Sequence, residues 1–185
     1  MAFKVADVVL DKEHAKNYIK FVFLSELFDE KGIKLDKSIL TDKRGRVYII
    51  TVDGVIKKIG GSIDKGGIKK TLSFYQSAMQ GGPSLRSYGV HLLIKEALEK
   101  GSSVEVYIIT STEIEAPVKG LFSEKATIKR VAVFKEMEDK CKEDYNQIEG
   151  TYPEWNLQER GVPWSKEMHE SYVKFLAERE RIKRR

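Results

Sequence analysis

The stretch RVYIITVDGVIKKIGGSIDKGGIKKTLSFYQSAMQGGPSLRSYGVHLL, residues 46–93, decides the fold of this chain. Val47–Thr51 is apolar and β-branched, the composition of a strand. Asp53-Gly54 is a two-residue turn signal between two apolar runs, so Val55–Ile59 reads as the return strand of a hairpin. Gly60-Gly61 follows, then a basic loop from Asp64 to Lys70. A helical pattern next carries Leu72, Tyr75 and Met79 at i, i+3 and i+7 spacing. The hairpin therefore sets Tyr48 and Lys58 on neighbouring strands beside a cationic loop. Polar groups converging on one rigid edge are what an active site requires.

Outward from this stretch, the helix of about residues 67–80 stops at Gly81-Gly82-Pro83. Another starts at Pro83-Ser84, carries Leu85, Tyr88, Val90, Leu93, Ile94 and Leu98, and closes at Gly101. Ser103–Thr110 alternates and then turns apolar, which predicts a third strand. Ser111–Phe122, with Pro117 and Gly120, reads as irregular. A helix is expected within Ser123–Ile148, where Val131, Phe134, Cys141, Tyr145 and Ile148 share a face with Glu138. Gly150–Pro163 is a loop. Trp164–Arg185 is a final helix with the stripe Trp164, Met168, Tyr172 and Leu176 and a basic end at Arg179, Arg181, Lys183, Arg184 and Arg185. Upstream, Ala15, Tyr18, Ile19, Phe21, Val22 and Leu24 predict a supporting helix over Lys12–Phe28, and Lys34–Gly45 a basic loop. The expected fold is α/β: a small, mostly antiparallel three-stranded sheet flanked by helices, with helical extensions at both ends. Its parts are a helical extension over 1–45, a core over 46–158 with an insertion around 111–128, and a basic helix over 159–185.

The 185 residues suit one domain, and 41% hydrophobic with 10% aromatic residues gives it a core to bury. A net charge of +5 permits a polyanionic partner without requiring one. The lone cysteine, Cys141, excludes an internal disulfide and a cysteine-rich zinc site. No apolar run is long enough to span a membrane, and no signal-like apolar segment opens the chain, so a cytoplasmic location is expected. His14, His91 and His169 lack zinc-helix spacing, and Gly60-Gly61-Ser62 lacks the phosphate-loop ending. On residues alone, Tyr48 and Tyr75 are half-buried aromatics, Lys58 an exposed strand lysine, and the Lys69/Lys70 pair a solubility feature.

Val47-Tyr48-Ile49, followed by Lys58-Ile59-Gly60, resembles the two-part signature of the GIY-YIG nuclease superfamily. Tyr48 takes the tyrosine place of the first half, and Lys58 stands where the second half usually has tyrosine. Compact type II restriction members carry lysine there. Ser73-Phe-Tyr-Gln-Ser-Ala78, Ser103-Val-Glu-Val-Tyr107 and Pro153-Glu-Trp-Asn-Leu-Gln158 resemble, in order, the first helix, third strand and closing segment of a phage endonuclease member. The resemblance runs from about Val47 to Gln158.

The resemblance implies a metal-dependent DNA endonuclease, of restriction or phage type, that hydrolyses phosphodiester bonds in double-stranded DNA. It assigns Mg²⁺, with Mn²⁺ as substitute, to one glutamate on a late helix, placed here at Glu138 with Glu136 and Glu143 as rivals. Tyr48 and Lys58 then position or deprotonate the attacking water. Lys58 must be neutral to act as a base, through burial or neighbours such as Lys57, Lys69 and Lys70. Tyr75 falls beside the phosphate, and Asn156 matches a late asparagine of the superfamily. The arginine expected four residues before Tyr75 is replaced by Thr71, so Lys69, Lys70 or Arg86 must serve as the phosphate clamp. Catalytic roles thus fall to Tyr48, Lys58, Tyr75, Arg86 and Glu138, and DNA contacts to Lys69, Lys70, Arg86 and Asn156. A homodimer or homotetramer is implied, so that both strands are cut, and no membrane partner. Two other readings compete. One is a DNA-binding protein on a nuclease scaffold with weak or lost catalysis, and the other is a small interaction protein.

Overall fold

The structure is a computed structural model that describes residues 2–14 and 18–183. Ala15 of the expected first helix, and Arg184 and Arg185 of the basic end, lie outside the described residues.

The predicted hairpin is present as β5 (Arg46–Val52) and β6 (Val55–Ser62). Asp53 and Gly54 both take positive φ, 49° and 78°, the turn geometry that matches the twist of the two strands. The third predicted strand, here β7 (Val104–Thr110), pairs antiparallel with β5. The sheet does not end there. Residues 1–45 supply strands where a helical extension was expected: β1 (Phe3–Asp11) and β2 (Tyr18–Phe23) join to give the order β2-β1-β7-β5-β6. The three-stranded description therefore becomes a five-stranded antiparallel sheet.

The reason lies in residue type. Tyr18-Ile-Lys-Phe-Val-Phe23 fits a 3.6-residue period only loosely, while its β-branched and aromatic residues favour a pleated surface, with Lys20 and Val22 turned outward. A register shift between Lys4 and Ala6 against β7 lets consecutive Val5 and Ala6 both be buried. Two short strands, β3 (Leu27–Phe28) and β4 (Lys34–Leu35), and a 3-10 turn over Lys37–Leu40 complete the region before β5.

Helices α1 (Gly67–Gln76) and α2 (Leu85–Glu99) cover one sheet face. There Val5, Val8, Ile50, Ile68, Leu72, Val90, Ile94, Val106 and Ile108 form the main core. Helix α3 (Phe134–Glu149) covers the other face, where Val47, Ile49 and Ile59 meet Met137, Cys141 and Tyr145. The alternation along β5 thus feeds two cores, one on each side. Helix α4 (Lys166–Lys183) lies on α2, with Tyr88 against Tyr172 and Phe175. Trp164, expected within the last helix, precedes it and packs on Gly89.

The insertion is also ordered. β8 (Glu113–Val118) and β9 (Thr127–Ala132) form a separate two-stranded ribbon, β8 in the segment expected to be irregular and β9 at the start of the range in which a helix was expected. Its residues are mostly exposed, so no buried alternation marks it in the sequence, and Pro117 is tolerated because the ribbon has two free edges. Val131 lies in β9 and Ile148 is exposed, so neither shares the buried face of α3. Among the described residues, no helix is long and apolar enough to cross a membrane.

Candidate active site

One edge strand of the sheet is β6, and the candidate groups gather around its centre. Tyr48 pairs with Gly60 and Ile50 with Lys58 across the β5–β6 ladder, so Tyr48 and Lys58 project from the same face. Tyr75 arrives from α1, and its hydroxyl is hydrogen-bonded to that of Tyr48 at 2.7 Å. The two rings meet edge-on at 6.2 Å. Glu138 reaches the same edge from α3, on the opposite side of the sheet.

Two glycines make this convergence possible. A Cβ on Gly60 would strike the Tyr48 hydroxyl, and one on Gly61 would strike Glu138 Oε2. Without side chains there, groups from both sheet faces approach one stretch of backbone.

The segment from Pro153 to Arg160 roofs that edge. The Trp155 N–H donates to the Lys57 carbonyl at 2.8 Å. Asn156 lends its side chain as a surrogate strand: Oδ1 accepts from the Ile59 N–H and Nδ2 donates to the Ile59 carbonyl, both at 2.9 Å. Asn156 is buried with its amide satisfied by Ile59. It holds β6 in place from within, as well as lining the cleft over Lys58.

Under this roof Lys58 is 1% exposed and forms the floor of a cleft of about 130 Å³, walled by Arg86, Trp155, Asn156, Gln158 and Glu159. The sequence reading of an exposed strand lysine is therefore replaced by a buried amine. Burial pushes its pKa down from 10.5 to about 7, and Arg86 and Lys142 push the same way against Glu159 and Glu138. Lys57, expected to help, is instead paired with Glu154 at 2.5 Å. Burial pushes both tyrosine hydroxyls up, Tyr48 the further, so both are neutral donors at physiological pH.

Of the three acidic candidates on α3, Glu138 is buried while Glu136 and Glu143 face solvent. Glu138 Oε1 lies 2.6 Å from Lys142 Nζ, and Lys142 also reaches Glu159 at 2.5 Å. Lys142 carried no motif and could not be singled out from sequence; only its i+4 spacing from Glu138 hinted at a pair. Glu159 was equally silent. Among the described residues, no group of three or more His, Cys, Asp and Glu side chains is placed to cage a metal. The donor set is instead one buried carboxylate whose Oε2 faces the side-chain-free Gly61. That suits a Mg²⁺ ion, which takes one or two carboxylates and keeps its waters.

The position of the expected arginine, Thr71, is tied inward: its hydroxyl meets that of Ser62 at 2.6 Å and the Gly67 carbonyl at 3.2 Å. Arg86 on α2 is exposed, lines the cleft, and is close enough to act on Tyr48, Lys58 and Tyr75. Lys69 and Lys70 stay on the outer surface of α1, their ammonium groups over the rings of Phe23 and Phe74. His91 is a core residue, its Nδ1 2.8 Å from the Tyr75 carbonyl.

The chain matches no protein-family model and no curated protein. Among solved structures it is similar to a mutant of bacteriophage T4 EndoII, with a TM-score of 0.55 and 17% identity over 83% of this chain and 90% of that one. The restriction endonuclease HPY188I, solved in complex with product DNA, gives a TM-score of 0.42 and 20% identity over 82% of this chain and 78% of that one. At such identity, what this chain and the phage protein share is the fold.

Proposed function

We propose that this protein is a metal-dependent endonuclease that hydrolyses phosphodiester bonds in double-stranded DNA. The observation that carries this reading is Lys58, a buried lysine with its pKa near neutrality, on a fold shared with T4 EndoII. Around it stand two phenol donors, an exposed guanidinium and one buried carboxylate.

In this mechanism Arg86 holds the scissile phosphate at the cleft mouth, and the Tyr48–Tyr75 pair, in which one hydroxyl donates to the other, keeps one O–H to donate towards it. Neutral Lys58 accepts a proton from the water that attacks phosphorus, and the bond to the 3′ oxygen breaks. Glu138 would hold Mg²⁺, or Mn²⁺ in its place. When bound, the ion neutralises charge on the phosphate and on the departing oxygen. Lys69 and Lys70 reach phosphates further along the duplex and add salt-dependent affinity. Cutting both strands calls for two copies of the site, hence a homodimer or homotetramer.

Supercoiled plasmid incubated with pure protein and Mg²⁺ tests the proposal. Nicked and linear products, abolished by EDTA and by Glu138→Gln, are expected. Salt-sensitive binding with no cleavage at any metal tested would favour the second reading, a DNA-binding protein on this scaffold. Thr71 in the arginine position favours that reading, and Arg86 beside Lys58 weighs against it.

A further inference from the structure

Lys142 is 5% exposed and has carboxylates on three sides. Its Nζ lies 2.5 Å from Glu159 Oε1, 2.6 Å from Glu138 Oε1 and 3.9 Å from Asp139 Oδ1. Lys135 adds a second, weaker cation, 3.5 Å from Glu138 Oε2 and 2.8 Å from Asp139. A buried carboxylate with no positive partner is strongly destabilising, so the chain itself must balance Glu138 when no metal is bound. Lys142, one turn further along α3, supplies that balance.

The same ammonium opposes a divalent ion at Glu138, because two cations beside one carboxylate repel each other. Glu159 resolves the conflict. It belongs to the roof over Lys58 and already makes a contact with Lys142 as short as that of Glu138. We propose that Lys142 is a placeholder cation: it holds the Glu138 carboxylate in position until a divalent ion arrives, then leaves it for Glu159. This rests on the reading of Glu138 as the metal ligand. It makes Lys142 and Glu159 positioning residues, neither touching the phosphate.

The test titrates DNA-free protein with Mn²⁺ and follows the electron paramagnetic resonance of the free ion, with circular dichroism to verify folding. Lys142→Met is expected to bind Mn²⁺ about tenfold more tightly, since a like charge next to the ion is removed. Glu159→Gln is expected to bind about tenfold more weakly, because Lys142 then stays on Glu138. In a Lys142→Met background, Glu159→Gln should have almost no further effect, a coupling that simple addition of charges does not produce. Unchanged or weakened binding in folded Lys142→Met, or an equal effect of Glu159→Gln in both backgrounds, overturns the proposal. Should Lys142→Met fail to fold, Glu159→Gln alone decides: unchanged affinity overturns it. Equal binding by wild type and Lys142→Met sinks the placeholder only. No binding by wild type, or binding that survives Glu138→Gln, removes the metal reading and the placeholder with it.

Discussion

The hydroxyls of Tyr48 and Tyr75 stand 2.7 Å apart, one from the central hairpin and one from the helix that follows it. Both rings are buried, and one hydroxyl donates to the other. Tyr48→Phe leaves the Tyr75 hydroxyl without this partner. A loss of about 1–2 kcal/mol in stability is expected, readable by urea denaturation. Cleavage should fall about a hundredfold if these groups orient the phosphate or the water. Because burial holds both phenols neutral, the pH dependence of what remains should not move.

On the proposed mechanism, Lys58 governs the acid limb of the pH profile. Its pKa is lowered to about 7, so single-turnover cleavage should rise with pH through that value and level off above it. Lys58→Met should abolish that limb together with most of the rate. A rate that rises equally in the variant would take Lys58 out of the mechanism.

The same shift has a sign for stability. The unfolded chain holds the Lys58 proton up to about pH 10.5, the folded chain only to about 7. Burial of the charge therefore costs most below pH 7, and the cost fades as pH rises from 7 towards 10.5. Lys58→Met should raise the melting temperature at pH 6 and do so much less at pH 10. Thermal melts of the pair at both values, compared as differences, isolate this residue from others that titrate.

Asn156 makes two hydrogen bonds to the backbone of Ile59. Asn156→Ala leaves a buried N–H and a buried carbonyl unpaired and should cost about 2–4 kcal/mol. Asn156→Asp keeps the acceptor and loses the donor, and should fall between. If Asn156 instead contacted DNA alone, Asn156→Ala would weaken binding and leave the melting temperature unchanged.

Gly61 is the point where Glu138 crosses the sheet edge. Gly61→Ala places a methyl group on Glu138 Oε2, so the carboxylate must turn away. A folded Gly61→Ala protein with at least tenfold weaker Mg²⁺-dependent activity is expected.

Much of this was legible from residues 46–110. The Asp53-Gly54 turn, the β-branched runs and the Gly81-Gly82-Pro83 stop each obey local rules, and the hairpin, α1, α2 and β7 appear where those rules place them. Tyr18–Phe23 misled because six residues of mixed apolar type do not settle a period, and pairing with the preceding strand β1, itself held on β7, decides for a strand. The ribbon over Glu113–Ala132 hid because neither of its faces is buried against the core. Tyr48, Tyr75 and Glu138 entered as candidates through a resemblance. Nothing near Lys58 in the chain foretold its burial, which comes from residues 153–160 folding back over it. Lys142 and Glu159 are ordinary helix and loop charges until that fold-back brings them together.

The roof over β6 has a temporal meaning. A ribosome delivers the hairpin long before it delivers Trp155 and Asn156. Until those residues dock, water solvates Lys58, and the burial that lowers the pKa of its amine is missing. On the proposed mechanism, competence for cleavage waits until residues 153–160 close over the hairpin.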